Sequence, residues 1–318
     1  MNNNNNNLRD PNNNQEENDD DEIHNHNNNN NEEPVAAAIA HQVLNAAGVN
    51  ALQPLGPSDQ SRMTLSTQER EWAMAIKQAI ESNPEVDNES DFFYAAMALV
   101  EQGNVEAAVR RTHNLQEIRQ EYDIVDSFER GRRALHQSFQ LYPEHFLSFS
   151  YSYQYGSYVL VVDFAKQPTV QLFHSHIEGM KPKLREIYYM NQIVSPDFES
   201  IRKGAILVAE CGRVDLVTGT KNMTLFRHIW HIILAFPSKM QKVKHFHTGL
   251  FSNLLVSATK KFLPEEMCSS LEVGCICEAG SLDRLYLQPN LEAANQRVLC
   301  RLEETLLRRY ENEAKFKL

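Results

Sequence analysis

The sequence predicts an α/β protein: a mainly parallel sheet with helices packed on it, preceded by a small N-terminal helical bundle. Two observations predict it. From Tyr158 onward, short β-rich apolar runs ("YVLVVDF", "AILVAE", "VKHFHT", "LEVGCIC") alternate with segments of helical spacing, and such alternation implies helical crossovers between parallel strands. Before Tyr158 the apolar residues recur at helical spacing in short segments with capping residues, the pattern of a bundle. The 318 residues suffice for one large domain or two of ordinary size, with no need of disulfide staples.

Residues 1–33 are an Asn-rich acidic tail that cannot bury enough apolar surface to offset the entropy of ordering, so disorder is expected there. Residues 34–65 read as a linker able to hold one helix, "VAAAIAHQVLNAAG", followed by "VNALQPLGPSDQ". The bundle spans 66–148. It opens at Ser66, where "STQE" has the capping-box spacing that lets Ser66 and Glu69 satisfy each other's backbone groups. Trp72, Ile76, Ala79 and Ile80 then share one face. Ser90 precedes a second helix, with Phe92, Phe93, Ala96, Leu99 and Val100 at helical spacing, and Gly103 is placed to end it in the left-handed region. Asn104 caps a third helix, and a fourth runs through Phe128, Leu135 and Phe139 before Pro143.

Residues 149–290 hold the sheet, with helices between the strands around Leu184, Ile187 and Tyr188, over "MTLFRHIWHIILAF", and over "SNLLVSATKKF". "VTGTKN", after the second strand, is expected to be a loop. Residues 291–318 close the chain as an amphipathic helix carrying Leu291, Ala294, Val298, Leu302 and Leu306.

The formal net charge is -11, yet nine carboxylates against the single Arg9 place -8 of it in residues 1–33. The remainder is nearly neutral, which argues against nucleic acid as a partner. Its charge is uneven: from Leu216 to Pro264 there is no Asp or Glu, against Lys221, Arg227, Lys239, Lys242, Lys244, Lys260 and Lys261. The five cysteines, thinly spread through apolar sequence, suit a reducing compartment. The opening Asn run lacks the basic and apolar regions of a signal peptide, and the longest apolar runs fall far short of the ~20 residues of a membrane span. A cytoplasmic protein, peripheral at membranes, is the expectation.

The usual motifs of α/β enzymes are missing: there is no G-x-G-x-x-G after a strand, no Walker-type loop and no G-x-S-x-G elbow. His228 and His231, three apart on a helix, and His245 and His247, on one face of a strand, could together supply a tetrahedral zinc site. Neither pair has a carboxylate close by in sequence to orient an imidazole, so core or rim histidines are the favoured reading. "HSH" at His174–His176 lies in a predicted loop, and Cys275 with Cys277 reads as a pair of buried small side chains in a strand. No catalytic residue, metal or cofactor is expected, and the chain is read as non-enzymatic.

In "LFSNLLVSATKKFL", Phe251, Leu254, Leu255, Ala258 and Phe262 form an apolar helical stripe, with Lys260 and Lys261 at its C-terminal end. Spacing alone allows a core helix with a dipole-matched terminus, or an amphipathic gate whose apolar face lines a cavity or meets lipid.

From about Ile201 to Gly274 the chain resembles the CRAL-TRIO lipid-binding domain family, of the α-tocopherol transfer protein and cellular retinaldehyde-binding protein type. The resemblance rests on Gly204 opening "GAILVAECG", on Phe236-Pro237 before a basic turn, on the strand "VKHFHTG", and on "KKFLPEEMCSSLEVGC". Upstream, "DFFYAAMALVEQGNVEAAVRR" is similar in placement to the family's N-terminal helices, and "FLSFSYSYQYGSYVLVV" resembles its turn and first strand. His247, Gly249 and Lys261 stand where the family has other residues. Of the basic positions that bind phosphoinositide headgroups in the tocopherol-transfer type, Lys239 matches one, while Gln241, Glu266 and Ser270 occupy others.

The resemblance implies that sheet and helices enclose a lipid cavity. Leu160, Val162, Ile206, Val208 and Phe246 would form its floor, Ile229 and Ile233 would add to the lining, and Phe251, Leu254, Leu255, Ala258 and Phe262 would form its gate. Lys221, Lys239, Lys242, Lys244, Lys260 and Lys261 would make a basic rim for headgroups. The implied function is to bind one hydrophobic small molecule or phospholipid and to transfer or present it at an anionic membrane surface, met transiently. The alternatives left open are a non-catalytic protein-interaction module with a small or filled cavity and, behind it, a histidine-based metal enzyme.

Overall fold

The computed structural model describes residues 60–141, 146–152, 155–163, 177–210, 216–246, 271–273 and 291–318, together with 257, 260, 268 and 269. The Asn-rich tail, the linker up to residue 59 and the gate segment 250–263, apart from Ser257 and Lys260, lie outside the described residues.

A 3-10 turn at Gln60–Met63 precedes four helices: α1 (Thr67–Glu81), α2 (Asp91–Glu101), α3 (Val105–Glu121) and α4 (Phe128–Leu141). Their caps are those the sequence predicts. Ser66 Oγ accepts from the Glu69 amide at 3.2 Å while Glu69 Oε2 accepts from the Ser66 amide at 2.8 Å. Ser90 accepts from the Phe93 amide and Asn104 from the Ala107 amide. α2 ends on two left-handed residues, Gln102 and Gly103 (φ 50° and 82°). A Cβ on Gly103 would stand 2.6 Å from Trp72 ring atoms, so both the backbone and the approach of Trp72 require glycine there.

Five strands make one sheet in the order β1-β2-β3-β4-β5: β1 (Phe146–Ser152), β2 (Ser157–Asp163), β3 (Ala205–Glu210), β4 (Met240–Phe246) and β5 (Leu271–Val273). β1 pairs antiparallel with β2, and the others pair parallel. The sheet is therefore mixed: "FLSFSYS" is an antiparallel edge strand of its own, joined to β2 as a hairpin. Helices α5 (Ile177–Ile193) and α6 (Phe198–Lys203) connect β2 to β3, α7 (Leu216–Ala235) connects β3 to β4, and α8 (Leu291–Lys315) ends the chain. "VTGTKN" lies inside α7 rather than in a loop. Its single glycine costs a helix only about 1 kcal/mol relative to Ala, and no proline interrupts the run, so twenty residues remain helical.

The strand order runs from β2 to β5 without reversal. Right-handed crossovers from β2 to β3 and from β3 to β4 put α5 and α7 on the same face. The packing agrees. Tyr158, Leu160 and Val162 of β2 meet Leu135 of α4, Ile193 of α5 and Leu302 of α8 in one cluster, and Trp230 and Leu234 of α7 meet Val243 and Leu271 on the far strands. A second large cluster joins α1, α2 and α3 to α5 and α7 through Tyr188, Leu225 and Ile232. The helices of residues 66–141 therefore share a core with the sheet's helical layer, and the expected boundary at 148/149 does not interrupt it.

Buried polar ties fix these elements to one another. Arg62 donates from Nε and Nη2 to both carboxylate oxygens of Asp197 at 3.0 Å, and from Nη1 to the Tyr151 hydroxyl at 3.1 Å. Asp197 in turn caps α6 by accepting from the Ser200 amide at 2.8 Å. On the other side of the helical layer, Asp126 accepts from Tyr188 (2.6 Å), Gln192 (2.7 Å), Arg119 (3.0 Å) and Tyr310, tying α3, α5 and α8 together.

Candidate functional site

The face of the sheet away from the helices is built by strand alternation. In β2, Tyr158, Leu160 and Val162 turn toward the helices, so Val159 and Val161 turn the other way. Register then carries this face across the sheet. Ser150, Val159, Ile206 and Lys242 form one row from β1 to β4. Ser148, Val161, Val208 and Lys244 form the next, and Glu272 of β5 is the register partner of Lys244. Each row reads hydroxyl, apolar, apolar, cation. The first three positions of both rows are buried, with exposures between 0% and 5%, and the lysines are half-buried. None of these buried residues belongs to the clusters that the described helices form. One row further along, buried Asp163 has Glu210 as register partner, and Glu210 has Phe246.

The residues expected to line a cavity divide between the two faces. Ile206 and Val208 lie on this floor. Leu160 and Val162 do not: they pack under the helices, because a strand's side chains alternate and a one-residue offset moves a residue to the opposite face. Val159 and Val161 take their place. Ile229 and Ile233 of α7 pack into the cluster shared with α1, α2 and α3, so they serve helix–helix packing and stand apart from the floor. Phe246 is in register with the floor; its side chain, and Phe251, Leu254, Leu255, Ala258 and Phe262, lie outside the described residues.

The expected basic rim divides as well. Lys242 and Lys244 stand on the floor face, since Val243 between them turns to the helical side. Lys239 sits in the turn before β4, where its carbonyl accepts from the Ala205 amide at 2.8 Å, and Lys260 is exposed. The side chains of Lys221 and Lys261 lie outside the described residues.

The histidines are not brought together. His228 Nδ1 is 2.8 Å from the Tyr122 hydroxyl, and burial lowers its pKa, so the neutral ring is favoured there. His231 is exposed on the same helix, and His245 alternates with Lys244 onto the helical side of β4. His174, His176, His247, Cys275 and Cys277 lie outside the described residues. Among the described residues no group of three or more His, Cys, Asp or Glu is arranged to hold a metal ion, and no helix is long and apolar enough to cross a membrane. The buried Lys183–Glu186 ion pair at 2.7 Å, with Ser138 bonded to the same carboxylate, lies within the helical layer between α4 and α5.

Ser148, Ser150, Val159 and Val161 went unrecognised in the sequence reading. Their signal is the period-two alternation of "FLSFSYS" set beside "YVLVV". A face of this kind offers hydroxyls along one edge, apolar surface in the middle and ammonium groups along the other edge, the polarity of an amphiphile. Open α/β sheets bind nucleotides where the strand order reverses, and between β2 and β5 it does not reverse. No family model matches the chain, and no curated protein matches it.

Proposed function

We propose that this protein binds one hydrophobic ligand or lipid over the face of its sheet opposite the described helices and transfers or presents it at membranes without bond chemistry. The observation that carries the reading is the buried strip Val159, Val161, Ile206 and Val208, which lies outside every core cluster of the described helices. Each methylene moved from water onto such a surface gains about 0.8 kcal/mol. The segment 250–263, whose apolar stripe and terminal lysines read as an amphipathic gate, follows β4 directly in sequence, and the resemblance to CRAL-TRIO domains in residues 201–274 supports the same arrangement. On this reading Lys239 and Lys260 would meet anionic headgroups when the gate opens.

Native mass spectrometry of the protein as isolated, followed by extraction from mixed liposomes, tests the proposal. The expected result is a stoichiometric lipid adduct, or uptake of one lipid per chain. Lipid-free protein that extracts nothing would refute the proposal.

A further inference from the structure

Two serines of the floor carry the reading one step further. Burying a hydroxyl without a hydrogen bond is unfavourable, so buried serines are ordinarily bonded. Among the described residues, Ser138, Ser157, Ser195, Ser200 and Ser238 are buried and bonded within the protein, and buried Ser152 has a partner as well. Ser148 and Ser150 are buried to a similar depth, at 3% and 5% exposure, yet neither hydroxyl makes a hydrogen bond with another described residue. Both alternate onto the floor face, because Phe149 between them packs under the helices with Tyr158 and Leu160. They stand about 7 Å apart along β1 at normal strand rise, each at the head of a row whose next two positions are apolar.

The described charged side chains of this face are already engaged: Lys242, Lys244 and Asp163 each have a partner. An ionised head group would have to break into those contacts, or lie unpaired against two neutral hydroxyls, where a buried ion loses its hydration without compensation. An uncharged oxygen loses far less. A serine hydroxyl, one donor with two acceptor lone pairs, can donate to a carbonyl or ester and accept from an alcohol. Resting on the lipid-binding reading, we infer that the floor takes an uncharged lipid headed by an alcohol, carbonyl or ester, with that oxygen seated on Ser148 and Ser150 and its chain over Val159, Val161, Ile206 and Val208.

The test uses the full chain, stripped of co-purifying lipid and titrated in a displacement assay with oleyl alcohol, oleate, oleoyl lysophosphatidate and the headless hydrocarbon octadecene. The alcohol is expected to bind at least about tenfold more tightly than oleate or lysophosphatidate. The double variant Ser148→Ala/Ser150→Ala should bind the alcohol roughly three- to tenfold more weakly, the worth of one neutral hydrogen bond, and should bind octadecene as the unaltered protein does. Oleate or lysophosphatidate binding as tightly as the alcohol overturns the uncharged head, and that comparison needs no variant. Equal loss of alcohol and octadecene in the variant, or loss of neither, overturns the seat on β1 and leaves lipid binding intact. Failure to bind any of the four refutes the lipid-binding reading beneath it.

Discussion

Replacing Val208 with Trp, beside the matched change Val162→Trp, separates a face that receives a ligand from one that is packed core. The two valines are equally hidden, at 4% and 3% exposure, and sit on adjacent strands, but they point to opposite faces of the sheet. Val162 packs in a cluster with Leu135, Ile193 and Leu302, so an indole there forces side chains off their rotamers at a cost of about 1–3 kcal/mol. In a chain of this size that lowers the melting temperature by about 2–4 °C per kcal/mol. Val208 lies in the second row of the opposite face, and on the proposed function an indole there would occupy ligand space. Its expected cost in stability is under about 1 kcal/mol, while lipid uptake falls by at least about tenfold. Urea unfolding of stripped protein gives the stabilities, and native mass spectrometry after liposome extraction gives the uptake. If Val208→Trp is destabilised as much as Val162→Trp and stripped protein shows no loss of uptake, the floor is ordinary core and the reasoning fails.

Three further outcomes follow from the contacts. Arg62→Met leaves the buried Asp197 carboxylate without its bidentate partner, which should cost about 3–5 kcal/mol in urea unfolding, and adding Asp197→Asn should recover much of it. The hydrogen bonds from Arg202 hold the Glu69 carboxyl down to about 2, against an ordinary 4.5. A folded pKa below the unfolded one means this stabilisation is complete above about pH 4.5 and is lost as pH falls toward 2. Glu69→Gln should flatten that part of the acid-unfolding curve, by about 1 kcal/mol or less because Arg202 is partly solvated. Gly103→Ala, at φ 82° against Trp72, should cost at least about 1–2 kcal/mol and shift the tryptophan emission.

Local signals made much of the fold legible. Ser66, Ser90 and Asn104 start the helices the sequence assigned to them, because a cap is a contact between residues three apart and leaves its mark in short range. β3 was readable to the residue from "AILVAE". What could not be read depended on partners distant in sequence. "YVLVV" is apolar at every position, so nothing within it tells which of Leu160 and Val161 meets the helices; the packing of Leu160 with Leu135, Ile193 and Leu302 settles that. The packing of the N-terminal helices on the sheet's helices was hidden for the same reason, since Tyr188 and Leu225 share a core with Ile76 and Phe92.

The absence of carboxylates from Leu216 to Pro264 looked like the mark of a single membrane-facing rim. Strand alternation divides its cations between two settings. Arg227 and Lys260 are exposed and Lys239 sits in a turn, and on the proposed function a carboxylate-free neighbourhood would preserve their attraction to an anionic surface. Lys242 and Lys244 stand half-buried on β4 as the register partners of Ile206 and Val208. Exposed and half-buried cations differ in their response to salt, because partly buried charges are screened less than exposed ones. Attachment to anionic vesicles through the exposed residues should weaken steeply between low and physiological salt, and attachment that does not change on such a salt series refutes a role for Arg227 and Lys260 in it.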